Sequence, residues 1–278
     1  MFKILKFPIG LVLLGILLSS CVASTYLNQK VTAPVFTDST KVVSYMYVGS
    51  RKQEINISYA PIKRVFVTSD LYVGNIEPFK FRGGQLAYDL GIGYVPLQRS
   101  KFQVTGIVSG GRGKIDSKFQ YSPIFNDHTY HKNIKTDYNK LNMTAYMTLH
   151  LDEVVDLSFG LRNSFIKYND FYMDRLEQRS PIKSTEPEHD YSDTIRFRNK
   201  SFVTLDPFLY FDIKPTKHLG CNIQFMRSFS TKFHIDFDSY RRNRDRSGAP
   251  DRLTIVRDRI VLPFYKANII NVGAYLVF

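Results

Sequence analysis

The sequence predicts an all-β chain, an antiparallel up-and-down transmembrane β-barrel of about ten strands, with about eight as the lower count. Three observations predict it. Apolar and polar residues alternate in segment after segment, up to the last residue. Short connections alternate with long polar ones. The polar row of the later strands is made of residues that suit an enclosed interior rather than open water.

The N-terminus sets the compartment. Met1 to Ser20 opens with Lys3 and Lys6, runs apolar from Ile9 to Leu18, and ends on small residues before Cys21. A basic start, a short apolar run and small residues at the cut make a secretory signal, 1–20. The apolar run is too short to cross a bilayer as a helix. Residues 21–40, with Pro34 and Asp38-Ser39-Thr40, read as a tether, and 41–278 as the barrel.

The strands follow in order. Lys41 to Val48 is the first, and a turn at Gly49-Ser50-Arg51 leads to Ile55, Ile57 and Tyr59 against Asn56 and Ser58. Ala60-Pro61-Ile62-Lys63 turns the chain into Val65, Val67 and Leu71 against Thr68, Asp70 and Tyr72. Strand four sets Leu86, Tyr88, Leu90, Ile92 and Tyr94 against Ala87, Asp89, Gly91 and Gly93. Strand five starts at Phe102, and its Gly110-Gly111-Arg112-Gly113 suits a bend or bulge. Strand six sets Leu141, Met143, Ala145, Met147 and Leu149 against Asn142, Thr144, Tyr146, Thr148 and His150. Strand seven sets Val155, Leu157, Phe159 and Leu161 against Asp156, Ser158, Gly160 and Arg162. Strand eight sets Val203, Leu205, Leu209 and Phe211 against Thr204, Asp206, Tyr210 and Asp212. Strand nine sets Leu219, Cys221, Ile223 and Phe225 against Gly220, Asn222 and Gln224, and Ile270 to Phe278 is the last.

Short turns fall near residues 61, 98, 152 and 215, and long polar loops at 119–135, 173–195 and 232–258. Short turns on one side and long loops on the other are the pattern of an outer-membrane barrel. An even strand number places both chain ends on the short-turn, periplasmic side. A soluble ligand-binding barrel alternates as well, with its apolar row inside. The polar row of strands six to ten discriminates: Asn, Thr, Ser, Gly, Gln, Tyr and Asp, with His150 and Arg162, and neither Lys nor Glu. Such residues hydrogen-bond one another in a confined lumen.

Charge and cysteines bound the rest. The precursor is formally +13, and without Lys3 and Lys6 the mature chain holds 36 basic against 25 acidic residues, +11. An exported chain meets lipid phosphates rather than nucleic acid. There are 18 Tyr and 22 Phe but no Trp. There are two cysteines, Cys21 and Cys221; if Cys21 is modified, Cys221 has no disulfide partner, and it reads as a small residue on the lipid-facing row.

Barrels of about eight strands are filled by their own side chains, so about ten leave a plugged or narrow lumen. Arg162 and Asp206 lie at similar depth on neighbouring strands and predict a lumen ion pair, with Asp89 as a candidate third member. Asp156 and Asp212 complete the expected polar network. Arg241, Arg242, Arg244 and Arg246, with Arg252, Arg257 and Arg259, form an Arg-rich loop suited to lipopolysaccharide phosphates or self-paired through Asp245, Asp251 and Asp258. His128 and His131 beside Asp127, His189 beside Asp190, and His150 near Asp152 are Asp–His neighbours without a serine at a meaningful spacing. They have no characteristic metal-ligand spacing either. The expectation is therefore no enzyme, no metal and no cofactor beyond a covalent lipid. His128 and His150 are the first residues to mutate if there is an enzyme.

Leu18-Ser19-Ser20-Cys21 resembles a lipobox, in which Cys21 carries the lipid. Tyr26, then Ala33-Pro34-Val35-Phe36, then short strands ending on Phe278, resemble small outer-membrane β-barrel lipoproteins of the Bacteroidota. Val22-Ala23-Ser24-Thr25 has none of the acidic residues found after the lipidated cysteine of surface-exposed members, which implies a lipid on the periplasmic side. The resemblance implies an outer-membrane location and contact with outer-membrane lipid, lipopolysaccharide and other envelope proteins. The implied role is structural or partner-binding, through the loops or as accessory subunit of an envelope complex. The alternatives are a narrow pore, a lipid-modifying or proteolytic outer-membrane enzyme, and a soluble lipocalin-like binder.

Overall fold

The computed structural model describes residues 31–36, 41–49, 52–75, 82–121, 128–179, 188–216, 218–231, 233–244, 252–262 and 268–277. The expected signal peptide and Cys21 lie outside them.

The chain is all-β and antiparallel. Its strands are β1 Val42–Gly49, β2 Lys52–Ile62, β3 Val65–Asn75, β4 Arg82–Gln98, β5 Phe102–Tyr121, β6 His128–His150, β7 Val155–Arg179, β8 Glu188–Ile213, β9 Leu219–Arg227, β10 Phe229–Ser230, β11 Phe233–Arg244, β12 Arg252–Leu262 and β13 Asn268–Val277. β1 to β9 pair in sequence, and β13 pairs both β9 and β1. Ten strands thereby close a ring. Closure removes the open edges of the ring, as a lipid environment demands.

The two faces of the wall differ. Ile55, Ile57, Leu71, Leu90, Ile92, Met143 and Leu161 are exposed on the outside. Asn56, Ser58, Asp89, Asn142, Ser158, Arg162 and Asp206 are buried on the inside. A soluble barrel would have these rows reversed. On β6 the outer row is apolar from Leu149 to Leu141 and turns polar at Asn139, Asp137 and Lys135. Just above that border Arg112 Nε donates to Asp137 Oδ1 at 2.8 Å, and Arg198 Nε lies 3.2 Å from Asp170 Oδ1. An apolar belt capped by outward ion pairs is the profile of an outer-membrane barrel.

Three expectations are corrected. The stretches 128–135, 173–179 and 188–195 are strand, not loop: β6, β7 and β8 run 23, 25 and 26 residues, well past the apolar belt. The Arg-rich stretch is the hairpin β11–β12, whose β11 pairs the upper part of β8 (Tyr240↔Ser192, Arg244↔Glu188). These stretches are rich in charged and polar residues, as loops are, and cross-strand pairing supplies their order. The third concerns Gly110 to Gly113. The pairing of β5 with β4 and β6 passes through them without a bulge. A Cβ on Gly113 would lie 2.1 Å from Tyr138 Cζ, so this glycine makes room for a ring in the lumen.

Strand lengths rise around the ring, from 8 residues in β1 to 26 in β8. The barrel therefore has a low wall at β1–β3 and a tall one at β5–β8, which β11 and β12 widen.

Candidate functional site

The candidate site is the lumen, and it is filled in three layers. The upper layer is apolar: Tyr72, Ile115, Ile134, Tyr138, Ile166, Tyr168, Phe171, Met173, Ile195 and Phe202 pack together, with Phe197 against them. Tyr168 meets Tyr138, Phe171 and Phe197 edge-on, and Phe171 stacks on Phe197 with ring centroids 4.5 Å apart. The lower layer is apolar too: Val43, Tyr45, Tyr47, Phe66, Val95, Tyr146, Phe208, Tyr210, Met226 and Tyr275. The polar row named from the sequence therefore shares the lumen's lining with these two apolar layers.

The lower layer closes around the chain's own N-terminal segment. Residues 31–36, part of the segment read as a tether, lie inside the barrel, with Val31, Ala33 and Phe36 buried. Barrel side chains hold the backbone of this segment. Gln224 Nε2 donates to Val31 O at 3.0 Å, and Tyr45 Oη to Ala33 O at 3.2 Å. Tyr146 Oη donates to Pro34 O at 3.0 Å, and Gln98 Nε2 to Phe36 O at 3.0 Å. A backbone outside a ladder must find such partners once it is buried. Val31 sits beside mid-barrel residues, and Phe36 beside Phe66 and Gln98 at the short-turn end.

The polar middle layer contains most of the residues expected of a lumen network. Arg162 Nε and Nη2 lie 3.0 Å from Asp206 Oδ2, and Thr204 Oγ1 donates to the same oxygen at 3.3 Å. Asp89 does not join that pair. It takes Lys140 Nζ at 2.8 Å and Asn142 Nδ2 at 3.0 Å. Asp156 lies lower, bonded to His150 Nδ1 at 2.8 Å and to Lys214, with Asp212 opposite it on β8. The five residues thus fall into separate groups rather than one network. A cavity of about 40 Å³ lies between the first two groups, lined by Val31, Thr32, Asn56, Asp70, Asp89, Asn142 and Arg162 among others. The Oδ1 atoms of Asp70, Asp89 and Asn142 find no protein donor.

Sequence reasoning missed Lys140, Glu54 and Asp70 as lumen charges. Lys140 was one alternation step away, since Asn142, Thr144 and Tyr146 already defined its row. Lys140 is also the inward lysine that the polar row appeared to lack.

The other candidates lie above the belt or outside the described residues. Arg241, Arg242 and Arg244 stand on β11, Arg246 and Asp127 fall outside the described residues, and His128 and His189 lie near the upper ends of β6 and β8. Among the described residues, no group of three or more His, Cys, Asp or Glu is placed to hold a metal ion. On the inner face of the tall wall Arg175 Nη2 lies 2.6 Å from the buried Asp193 Oδ2. Nearby, burial and the Arg175 charge push the Lys132 ammonium down to about 8.

No protein-family model and no curated protein sequence matches the chain. Solved structures do. The Escherichia coli outer-membrane protease OmpT is similar at TM-score 0.40 and 8% identity, over 86% of this chain and 92% of that one. The translocator domain of the autotransporter NalP from Neisseria meningitidis is similar at 0.38 and 11%, over 86% and 85%. The Pseudomonas putida toluene transporter TodX is similar at 0.29 and 8%, over 85% and 87%. All three are outer-membrane barrels with different activities, so the likeness speaks to fold alone. One expectation is corrected by it: the first of these barrels is a protease, so the reading of this chain as no enzyme does not stand. The chain folds as an outer-membrane β-barrel.

Proposed function

We propose that this chain is a lipid-anchored outer-membrane barrel, closed by its own N-terminal segment, that works through the wall it raises above the membrane. Its role on this reading is structural or partner-binding, as accessory subunit of an envelope complex. The observation that carries the reading is the row of four barrel side chains bonded to carbonyls of residues 31–36. The aromatic layer above it and the ion pairs between support the same reading, since they fill the lumen at two further levels. Support for the partner surface is the asymmetric wall of β5–β8 and β11–β12.

Lipid on Cys21, held on the periplasmic side, belongs to the same proposal. It is supported by the Leu18-Ser19-Ser20-Cys21 sequence and by the even ring. Cys21 precedes Val31 by ten residues. That is about 33 Å of extended chain, enough to return from mid-lumen to the periplasmic face. Palmitate labelling of wild type beside Cys21→Ala tests it.

Planar-bilayer recording tests the closed-barrel reading. The wild type should give no stepwise conductance, and a variant lacking residues 31–36 should give small, noisy openings. Regular steps from the wild type would replace the reading by the narrow pore. Crosslinking in cells from cysteines on the upper part of β7 then identifies the partner, and a chain that crosslinks to nothing would count against an accessory role.

A further inference from the structure

The short-turn mouth of the barrel holds a second feature, separate from the lumen layers. Phe36, the β2–β3 turn and the end of β4 enclose a cavity of about 250 Å³. Its floor is apolar, formed by Phe36, Phe66 and Val95, the two rings tilted with centroids 4.8 Å apart. Its rim is basic: Lys41, Lys63 and Arg64. Among the described residues that line it, none is acidic. Ile62 and Val65, at its edge, continue the outward row that meets lipid.

The turn itself is unusual. Ile62 pairs with Val65, so Lys63 and Arg64 form a two-residue turn, later than the Ala60-Pro61-Ile62-Lys63 turn expected from the sequence. Arg64 has φ 69°, the left-handed region that glycine or asparagine fills at such a position. Its carbonyl accepts a hydrogen bond from Val95 N at 2.8 Å, which holds the turn against β4. An arginine kept in a conformation its backbone disfavours points to a use for its side chain. The next short turn, with Arg99 and Lys101 exposed, adds positive charge on the same side.

We propose that this cavity binds the phosphate headgroup of an anionic lipid from the periplasmic leaflet. The Arg64 guanidinium pairs with phosphate oxygens in a fork, and the Lys63 and Lys41 ammoniums add point charge. The glycerol and first acyl carbons lie against the apolar floor and leave along Ile62 and Val65. A lipid is favoured over a free anion because a free anion would leave that floor wet. The proposal uses only the orientation of the barrel, short turns in the periplasm, and stands whether or not the lumen conducts.

The test is calorimetric titration of the full-length protein in dodecylmaltoside with dioctanoyl-phosphatidylglycerol. Dioctanoyl-phosphatidylcholine and inorganic phosphate are the comparison arms. Phosphatidylglycerol should bind about tenfold or more tightly than phosphatidylcholine, with no heat from phosphate. Lys63→Gln combined with Arg64→Gly should weaken it by about tenfold or more. Glycine accepts φ 69° freely, so this variant should keep the heat-modifiable gel band of the folded barrel, which separates lost binding from misfolding. Phosphate binding as tightly as phosphatidylglycerol would overturn the lipid in favour of a soluble anion. Equal affinity for the two lipids, or an unchanged double variant, would overturn the site.

Discussion

Removing one member of the Arg162–Asp206 pair should be far more damaging than removing both. The side chains are 6% and 0% exposed, and Arg162 bridges neighbouring strands β7 and β8 at the level of the lumen segment. An exposed ion pair contributes about 0–1 kcal/mol. A buried one differs, because the survivor is left as an uncompensated charge in a dry interior, at about 3–5 kcal/mol. Arg162→Met leaves Asp206 Oδ2 with the Thr204 hydroxyl as its donor. Asp206→Leu takes the buried carboxylate away from the Arg162 guanidinium, which also lies 3.6 Å from Met226 Sδ. Each single change should therefore lower the folding constant by about 100-fold or more. The double change fills the same space with apolar groups and should cost no more than about 1–2 kcal/mol, chiefly from the orphaned Thr204 hydroxyl. Urea unfolding of the barrel in lipid vesicles, followed by tyrosine fluorescence and the heat-modifiable band, closes the double-mutant cycle. Single changes under about 1 kcal/mol would show a solvated pair, and additive losses would show no coupling; either refutes the picture of a dry, filled lumen.

Three further outcomes follow from the same geometry. Met143→Arg, on the outer row within the apolar belt, should cost about 2–4 kcal/mol and impair assembly, whereas Asn139→Arg, above the belt, should be near neutral by the same unfolding assay. A Cβ on Gly93 would lie 2.0 Å from Phe66 Cζ, so Gly93→Ala should cost about 1–3 kcal/mol, and Phe66→Leu should rescue it in part; a neutral Gly93→Ala would show that the ring is free to move away. Lys132 carries its proton less readily in the folded barrel than in the unfolded chain, with a folded pKa of about 8 against 10.5. The cost of its charge is fully present below about pH 8 and is relieved as pH rises towards about 10.5, so stability should climb across that window by about 3 kcal/mol. Lys132→Met should flatten the climb, and an unaltered profile would show that Lys132 is well solvated.

The wall was legible in the sequence because two-residue alternation is a local property. Leu141 to Leu149 and Val155 to Leu161 need only their own neighbours to declare which face meets lipid. The ring of ten strands and the pairing of Arg162 with Asp206 followed from counting up from the short turns. The upper halves of β6, β7 and β8 did not, because above the belt their outer row turns polar, the lipid-facing signal is lost, and their order comes from the strand beside them.

The lumen shows where local reading ends. Nothing between Val31 and Phe36 distinguishes a tether in water from a strand of filling inside a barrel; six short or apolar residues serve either way. Their burial depends on Gln98, Tyr146 and Gln224, from 62 to 193 residues away in sequence. Asp89 likewise meets Lys140, 51 residues on, rather than Arg162, a choice that only the closed ring makes. The amino-acid sequence by itself determined the membrane-facing surface, since lipid acts on each strand separately. What fills the interior, and what the mouth can hold, was decided only by ring closure, which brings together side chains that no sequence spacing relates.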